Sequence, residues 1–288
     1  MQAHDRNRKV LLRSPAAALA LQQLLLIAGL GSLMALAQAL TGRTLRGLAD
    51  APSPGDLALY AASVAALVFI SRRIARARSP GVPLGLGLTR ARARSAGLGF
   101  GLGALANALP WASALLLGDA TITARVELAS GRGLAPIALG LGLAWANAWF
   151  EEATSRAAPL TILRPWAPWR AVAVSALCFG LMHGIGETLA PLRLAYLAAL
   201  GVLLGAAYVG CGHVWWGAGL HAGWFWASLL PSGRFHGGAL LALEGNVSAY
   251  VLTSDLLLMA AALGVLIHLA RRPAPLRGGA TAGAQPPI

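Results

Sequence analysis

The chain is 288 residues long, 57% hydrophobic and only 11% charged, with 10 acidic residues and a formal net charge of +13. A soluble domain carries about a quarter charged residues, so an ordinary water-soluble globular protein is excluded. The excess of Arg lies in clusters between apolar runs, which the positive-inside rule explains more simply than nucleic-acid binding does.

The apolar residues fall in blocks of roughly 17–25, the length that crosses ~30 Å of hydrocarbon as helix. They predict an all-α, polytopic transmembrane helical bundle of about eight spans. Residues 1–14 read as a basic cytoplasmic leader (Arg6, Arg8, Lys9, Arg13). The apolar run that follows is too long for a signal peptide and makes a first span from Pro15 to Leu40. A loop with Arg43, Arg46 and Asp50 leads to a second span, about Leu57 to Ile70. Arg72, Arg73, Arg76, Arg78, Arg90, Arg92 and Arg94 then form the densest charge in the chain. Pro80, Pro83 and alternating Gly break helix there, so the stretch is predicted to be a loop against anionic headgroups. A third span covers about Ala96 to Leu117, interrupted by Pro110, and a mixed-charge loop follows (Asp119, Arg125, Glu127, Arg132). The fourth, from about Leu134 to Phe150, delivers Glu151 and Glu152 at its end.

Trp166 and Trp169 beside Arg164 and Arg170, broken by Pro, read as an interfacial anchor. The fifth span is placed at Ala171 to Leu189 and the sixth at Leu194 to Val209. A Gly-Cys-Gly-His link leads to the seventh, Val214 to Leu230. A Gly-rich loop with Arg234, His236 and Glu244 precedes the eighth, Ala249 to Ala270, and residues 271–288 make a solvated tail. The membrane domain is thus 15–270, with a motif-bearing core at about 134–230. Eight spans put both termini on one side, and the Arg-rich segments mark that side, together with the Glu pair, as cytoplasmic. The Ala, Gly, Leu and Arg bias fits a bacterium with GC-rich DNA, and the expected location is the bacterial inner membrane. Cys178 and Cys211 lie in or beside apolar runs without CxxC spacing, which argues against a disulfide framework or thiolate metal site.

Ionisable side chains inside apolar blocks are costly and mark candidate sites. His183 is expected near the middle of the fifth span and His221 midway along the seventh, with Asn107, Asn147 and Asp255 as further polar positions. Taken singly, a buried His is more often a hydrogen-bonded core residue than a functional one. Two mid-span His with a Glu pair at a span end point to proton handling. A carboxylate can take a proton from water, and an imidazole can hold that water or protonate a leaving group. The same residue types could bind a divalent metal or form the proton relay of a transporter. Neither HExxH nor GxSxG occurs, and Asp255 stands without a second intramembrane Asp, so the metalloprotease helix, the serine elbow and the aspartyl dyad are all missing. No repetition between halves supports a transporter.

Glu151-Glu152-x-x-x-Arg156, Phe179-x-x-x-His183 and Gly-Leu-His221-Ala-Gly-Trp, in that order on separate spans, resemble the three-motif signature of the CPBP family. These are the CAAX-protease and bacteriocin-processing (ABI) membrane proteins, related to type II CAAX prenyl endopeptidases. The resemblance covers roughly Leu134 to Leu230. It implies Glu151 as the base that activates water, His183 as its partner, Glu152 and Arg156 as a supporting pair beside Phe179, and His221 as a stabiliser of the oxyanion. It implies a peptide or lipidated protein substrate, such as a prenylated C-terminus or a leader peptide, the lipid bilayer as partner, and no nucleic acid. No cofactor is required by the motifs, although a divalent metal is compatible with them. The third motif departs from the family's His-x-x-x-Asn: Phe225 stands where an Asn would donate to the oxyanion, and Trp224 or Trp226 are the nearest alternative donors. The departure keeps a second reading open, a catalytically silent member acting as a membrane scaffold or immunity-type protein, and a proton-coupled transporter remains a third.

Overall fold

A computed structural model describes residues 14–41, 54–125, 134–184, 190–229 and 241–271. Among the described residues the chain is all-α apart from one short ribbon. Its elements are α1 (Pro15–Thr41), α2 (Pro54–Arg78), α3 (Arg90–Leu117), β1 (Ala120–Arg125), α4 (Leu134–Glu152), a π-helical turn (Ala153–Ala157), α5 (Ala158–Ile162), α6 (Pro168–Met182), α7 (Pro191–Cys211), α8 (Trp215–Leu229), β2 (Leu241–Gly245) and α9 (Ser248–Arg271). Among the described residues, α1, α3, α7 and α9 contain stretches long and apolar enough to cross a membrane, and α6 is a shorter apolar helix. Their outward faces carry exposed leucines, such as Leu98, Leu102, Leu105 and Leu109 on α3. In water this would be an aggregating surface; in lipid it is the solvated one. The chain is an integral membrane protein.

Local chemistry sets the helix ends. The Thr89 hydroxyl accepts from the Arg92 N–H and caps α3, and Gly118, at φ 83°, ends it in the left-handed conformation. Pro168 and Pro191 open α6 and α7, where a missing N–H costs nothing.

Several boundaries differ from the sequence expectation. Helix α2 runs on to Arg78, so Arg72, Arg73, Arg76 and Arg78 ride its last turns, and Arg90 to Arg94 open α3. Only residues 79–89 form the connecting loop, because Pro80, Pro83 and the glycines act over that short stretch alone. The fifth span stops at Met182, and His183 is its C-cap rather than a mid-span residue. The mixed-charge and Gly-rich loops contain β1 and β2, which pair antiparallel with Thr121 opposite Glu244. The leader 1–13, the tail 272–288, Leu189, Leu230 and the loop charges Arg43, Arg46, Asp50, Glu127, Arg132, Arg234 and His236 lie outside the described residues.

Helix α8 packs against α3 and α4, α6 against α7, and α7 against α9. The α3–α8 approach is extreme because small residues face one another. A Cβ on Gly103 would stand 2.0 Å from the Leu220 carbonyl oxygen, and one on Gly219 or Gly223 would stand 2.0 Å from the Ala96 or Phe100 carbonyl oxygen. The two GxxxG spacings, Gly99/Gly103 and Gly219/Gly223, are the sequence signal for this contact. It fixes the helix that carries His221. A buried apolar cluster joins Ala18 and Leu19 of α1, Ile74 and Ala75 of α2, α5, the start of α6 and Leu269 of α9 at one end of the bundle.

Candidate active site

The helix carrying Glu151 and Glu152 does not end there. It continues through the π turn to Ile162, so the pair lies roughly 16 Å along the helix from that end, inside the bundle rather than at a span end. Pro159 explains the turn. It has no N–H to offer the carbonyl of Ser155, four residues back, and its ring crowds that carbonyl. Side chains supply the missing donors. Gln22 of α1 donates from Nε2 to the Thr154 carbonyl at 2.6 Å, and also reaches Ser71 Oγ of α2 at 3.3 Å. Ser175 of α6 donates its hydroxyl to the Ser155 carbonyl at 2.5 Å. Thr154 turns its own hydroxyl back to the Phe150 carbonyl at 2.9 Å. Three elements therefore hold open an irregularity of the kind that often accompanies functional sites.

Two tiers of charge result. The outer tier is Glu151 and His183, with side chains 18% and 29% exposed. The inner tier is Glu152 and Arg156, at 1% and 0%. Arg156 Nη1 stands 3.6 Å from Glu152 Oε1 across one helical turn, and its guanidinium carbon lies 3.8 Å from the centre of the Phe179 ring. A buried guanidinium with a carboxylate and an aromatic face as partners is tolerable where an unpaired one is not. Gly217 of α8 makes room for Glu152, since a Cβ there would stand 2.9 Å from Oε2.

His221 joins the tiers. Its Nδ1 lies 3.6 Å from Glu152 Oε1 and its Nε2 lies 3.6 Å from Glu151 Oε2. His183 Nε2 lies 3.9 Å from the same Glu151 oxygen. Its Nδ1 is 2.9 Å from the Phe179 carbonyl, an acceptor only, so Nδ1 carries a proton and a neutral ring offers its Nε2 lone pair to the site. Phe179 packs edge-on against both imidazoles, with ring centroids 4.6 Å from His183 and 6.1 Å from His221. The Phe-x-x-x-His spacing thus does two things, supplying the i−4 carbonyl that orients His183 and the ring beneath Arg156. Glu151 Oε1 accepts from Asn147 Nδ2 at 2.7 Å, and Asn147 Oδ1 accepts from the Tyr60 hydroxyl at 2.9 Å.

The other sequence candidates fall elsewhere. Phe225 lies one turn beyond His221, half-buried, and its carbonyl accepts from Ser228 Oγ at 2.7 Å. Trp226 packs on Phe100, with its indole N–H buried and without an acceptor among the described residues. Trp224 packs on Tyr196 of α7. Asp255 of α9 is within electrostatic reach of Tyr196 of α7. His213, in the α7–α8 link, is held below its ordinary pKa by burial and then by the neighbouring Arg92 charge. The sequence reading missed Tyr60, Gln22, Ser71, Ser175 and Gly217, although Gln22 shows the same signal that marked the histidines, a polar side chain within an apolar span.

Glu151, His183 and His221 are zinc-ligand residue types. Among the described residues, however, no group of three or more His, Cys, Asp or Glu side chains is arranged to hold a metal ion. The set is suited to moving protons between a carboxylate and two imidazoles.

Residues 133–227 match the family model described as type II CAAX prenyl endopeptidase Rce1-like. This is the family that the three motifs resemble. The match spans about a third of the chain and takes in the Glu pair, Arg156, Phe179, both histidines and Phe225. No curated protein and no solved structure matches the chain.

Proposed function

We propose that this chain is a membrane-embedded, glutamate-dependent endopeptidase acting on a membrane-associated or prenylated peptide. The observation that carries the reading is the Glu151 Oε2 atom, buried and without a hydrogen-bond partner among the described residues, which faces His183 Nε2 at 3.9 Å and His221 Nε2 at 3.6 Å. The family match over the same residues supports the choice of reaction.

A separation of 3.9 Å between two acceptors suits one bridging water, which donates one hydrogen to each over about 2.8 Å. Glu151 takes the proton as the water oxygen attacks the scissile carbonyl. It then delivers that proton to the departing amine as the C–N bond breaks, leaving a carboxylic acid and a free amine. An imidazole at His221 with a proton on each nitrogen has Glu152 for one and the developing oxyanion for the other. In the resting state its 3.6 Å distances exceed hydrogen-bond length, as is common before substrate is bound. Glu152 and Arg156 hold that ring from beneath. The helices are assigned as eight crossings, counting α4 to α5 as one, with both termini and the Arg-rich ends on the cytoplasmic side of a bacterial inner membrane. The substrate is a C-terminal or leader segment entering from the lipid.

One observation favours a second reading. The family's Asn donor is Phe225 here, and one oxyanion donor is worth ~10²–10³ in rate. A silent member would keep the buried charges as a scaffold. Cleavage of an S-farnesylated CAAX peptide and of a leader peptide by the full-length protein, with and without the Glu151→Ala substitution, separates the two readings. Turnover lost in the variant supports the peptidase, and no turnover by either protein supports the scaffold.

A further inference from the structure

We propose that Asn147 and Tyr60 are positioning residues that aim the Glu151 carboxylate; the inference rests on the reading of Glu151 as base. Asn147 precedes Glu151 by one helical turn, and the two side chains share a face of α4. Its Nδ2 donates to Glu151 Oε1 at 2.7 Å, a charge-assisted bond, while Oε2 is left toward His183 and His221. A carboxylate held at one oxygen cannot rotate freely about its terminal torsion, so the second oxygen stays where the two imidazoles meet.

An isolated carboxamide could present either end to Glu151, and its oxygen would repel the carboxylate. The Tyr60 hydroxyl of α2 removes that ambiguity by donating to Asn147 Oδ1 at 2.9 Å. Only this orientation of the amide satisfies both neighbours. The chain Tyr60–Asn147–Glu151 therefore runs donor to acceptor from α2 through α4 to the Glu151 oxygen that does not react, Oε1. It also couples the site to a helix outside the segment that matches the family model. The third motif lacks its carboxamide at Phe225, and the carboxamide that the structure does bring to the site comes from the other side of the base.

The test uses the full-length protein in detergent with an internally quenched S-farnesylated CAAX peptide, comparing wild type, Asn147→Leu, Tyr60→Phe, the double variant and Glu151→Gln. Asn147→Leu should lower kcat by ~10–100-fold with KM unmoved, the usual scale for a group that orients a reacting residue. Tyr60→Phe should lower it less, and the double variant should be no worse than Asn147→Leu, because both remove one chain of contacts. The antisymmetric carboxylate band of Glu151, isolated as the infrared difference between each Glu151-containing protein and its Glu151→Gln counterpart, should shift in Asn147→Leu and by less in Tyr60→Phe. A role in packing alone would leave that band in place. Wild-type kcat and an unshifted band in Asn147→Leu, with Glu151→Gln inactive, would overturn the positioning claim alone. Turnover surviving in Glu151→Gln would overturn the reading of Glu151 as base, and the positioning claim with it. The band also decides where this peptide is not turned over: unshifted, it overturns the contact on which the claim stands.

Discussion

Gly217 and Glu152 meet where no larger residue fits: a Cβ on Gly217 would stand 2.9 Å from the Glu152 carboxylate oxygen. That carboxylate is the shared neighbour of Arg156 and His221, each 3.6 Å from its other oxygen. The buried charge of one helix is thus received into a notch in another, and the same notch sets the height of His221. A Gly217→Ala substitution should displace the carboxylate, lower the unfolding free energy by about 1–3 kcal/mol and reduce kcat. Thermal unfolding in detergent beside peptide turnover measures both; wild-type values for both would show that the notch has no role.

The pair itself should respond asymmetrically. Glu152→Ala leaves Arg156 buried without its carboxylate and should cost about 3–5 kcal/mol, while Glu152→Ala with Arg156→Met should cost much less. Denaturant titration of the three proteins decides it. Equal losses in the single and double variants would mean that the ion pair is not what holds the helix turn.

Helix α8 is held at backbone distance from α3, so a side chain on the facing glycines must push the helices apart. Gly219→Val puts atoms where the Ala96 carbonyl oxygen lies 2.0 Å from the Cβ position, two residues from His221. Loss of both stability and turnover is expected. Gly97→Val, on the same helix as Ala96 but with open space at its Cβ, should be close to neutral and serves as the control.

Phe225→Asn restores the carboxamide expected one turn after His221. On the peptidase reading kcat should rise toward the ~10²–10³ that one oxyanion donor is worth. A fall in kcat, with the fold intact by circular dichroism, would show that the oxyanion is met from elsewhere, with the buried Trp226 indole N–H as the first group to substitute.

The sequence carried the helical class well and singled out the Glu and His side chains that the structure brings together, because both rest on strong, local signals. Apolar blocks of membrane-spanning length are hard to mistake, and Glu151, His183 and His221 stand out against them. What it carried poorly was depth. The Glu pair looked like a span end because charge follows an apolar run, yet Pro159 produces a π turn instead of a stop, and Gln22 and Ser175 satisfy the carbonyls it frees. His183 looked mid-span because apolar residues surround it, but it caps α6 at a turn whose sequel begins at Gly184. Partners such as Tyr60 and Gln22 were out of reach for a different reason. They sit 87 and 132 residues from the groups they serve, and no periodicity within one helix reports on such pairs.

On the proposed function, Glu151 is the base for peptide hydrolysis. The most direct test of that role is cleavage of an S-farnesylated CAAX peptide in ¹⁸O-labelled water by full-length wild type and Glu151→Gln in lipid nanodiscs. Wild type should give one labelled oxygen in the new carboxylate, and Glu151→Gln should give no product. Equal labelled product from both proteins, or none from wild type with this peptide and a leader peptide alike, would contradict it.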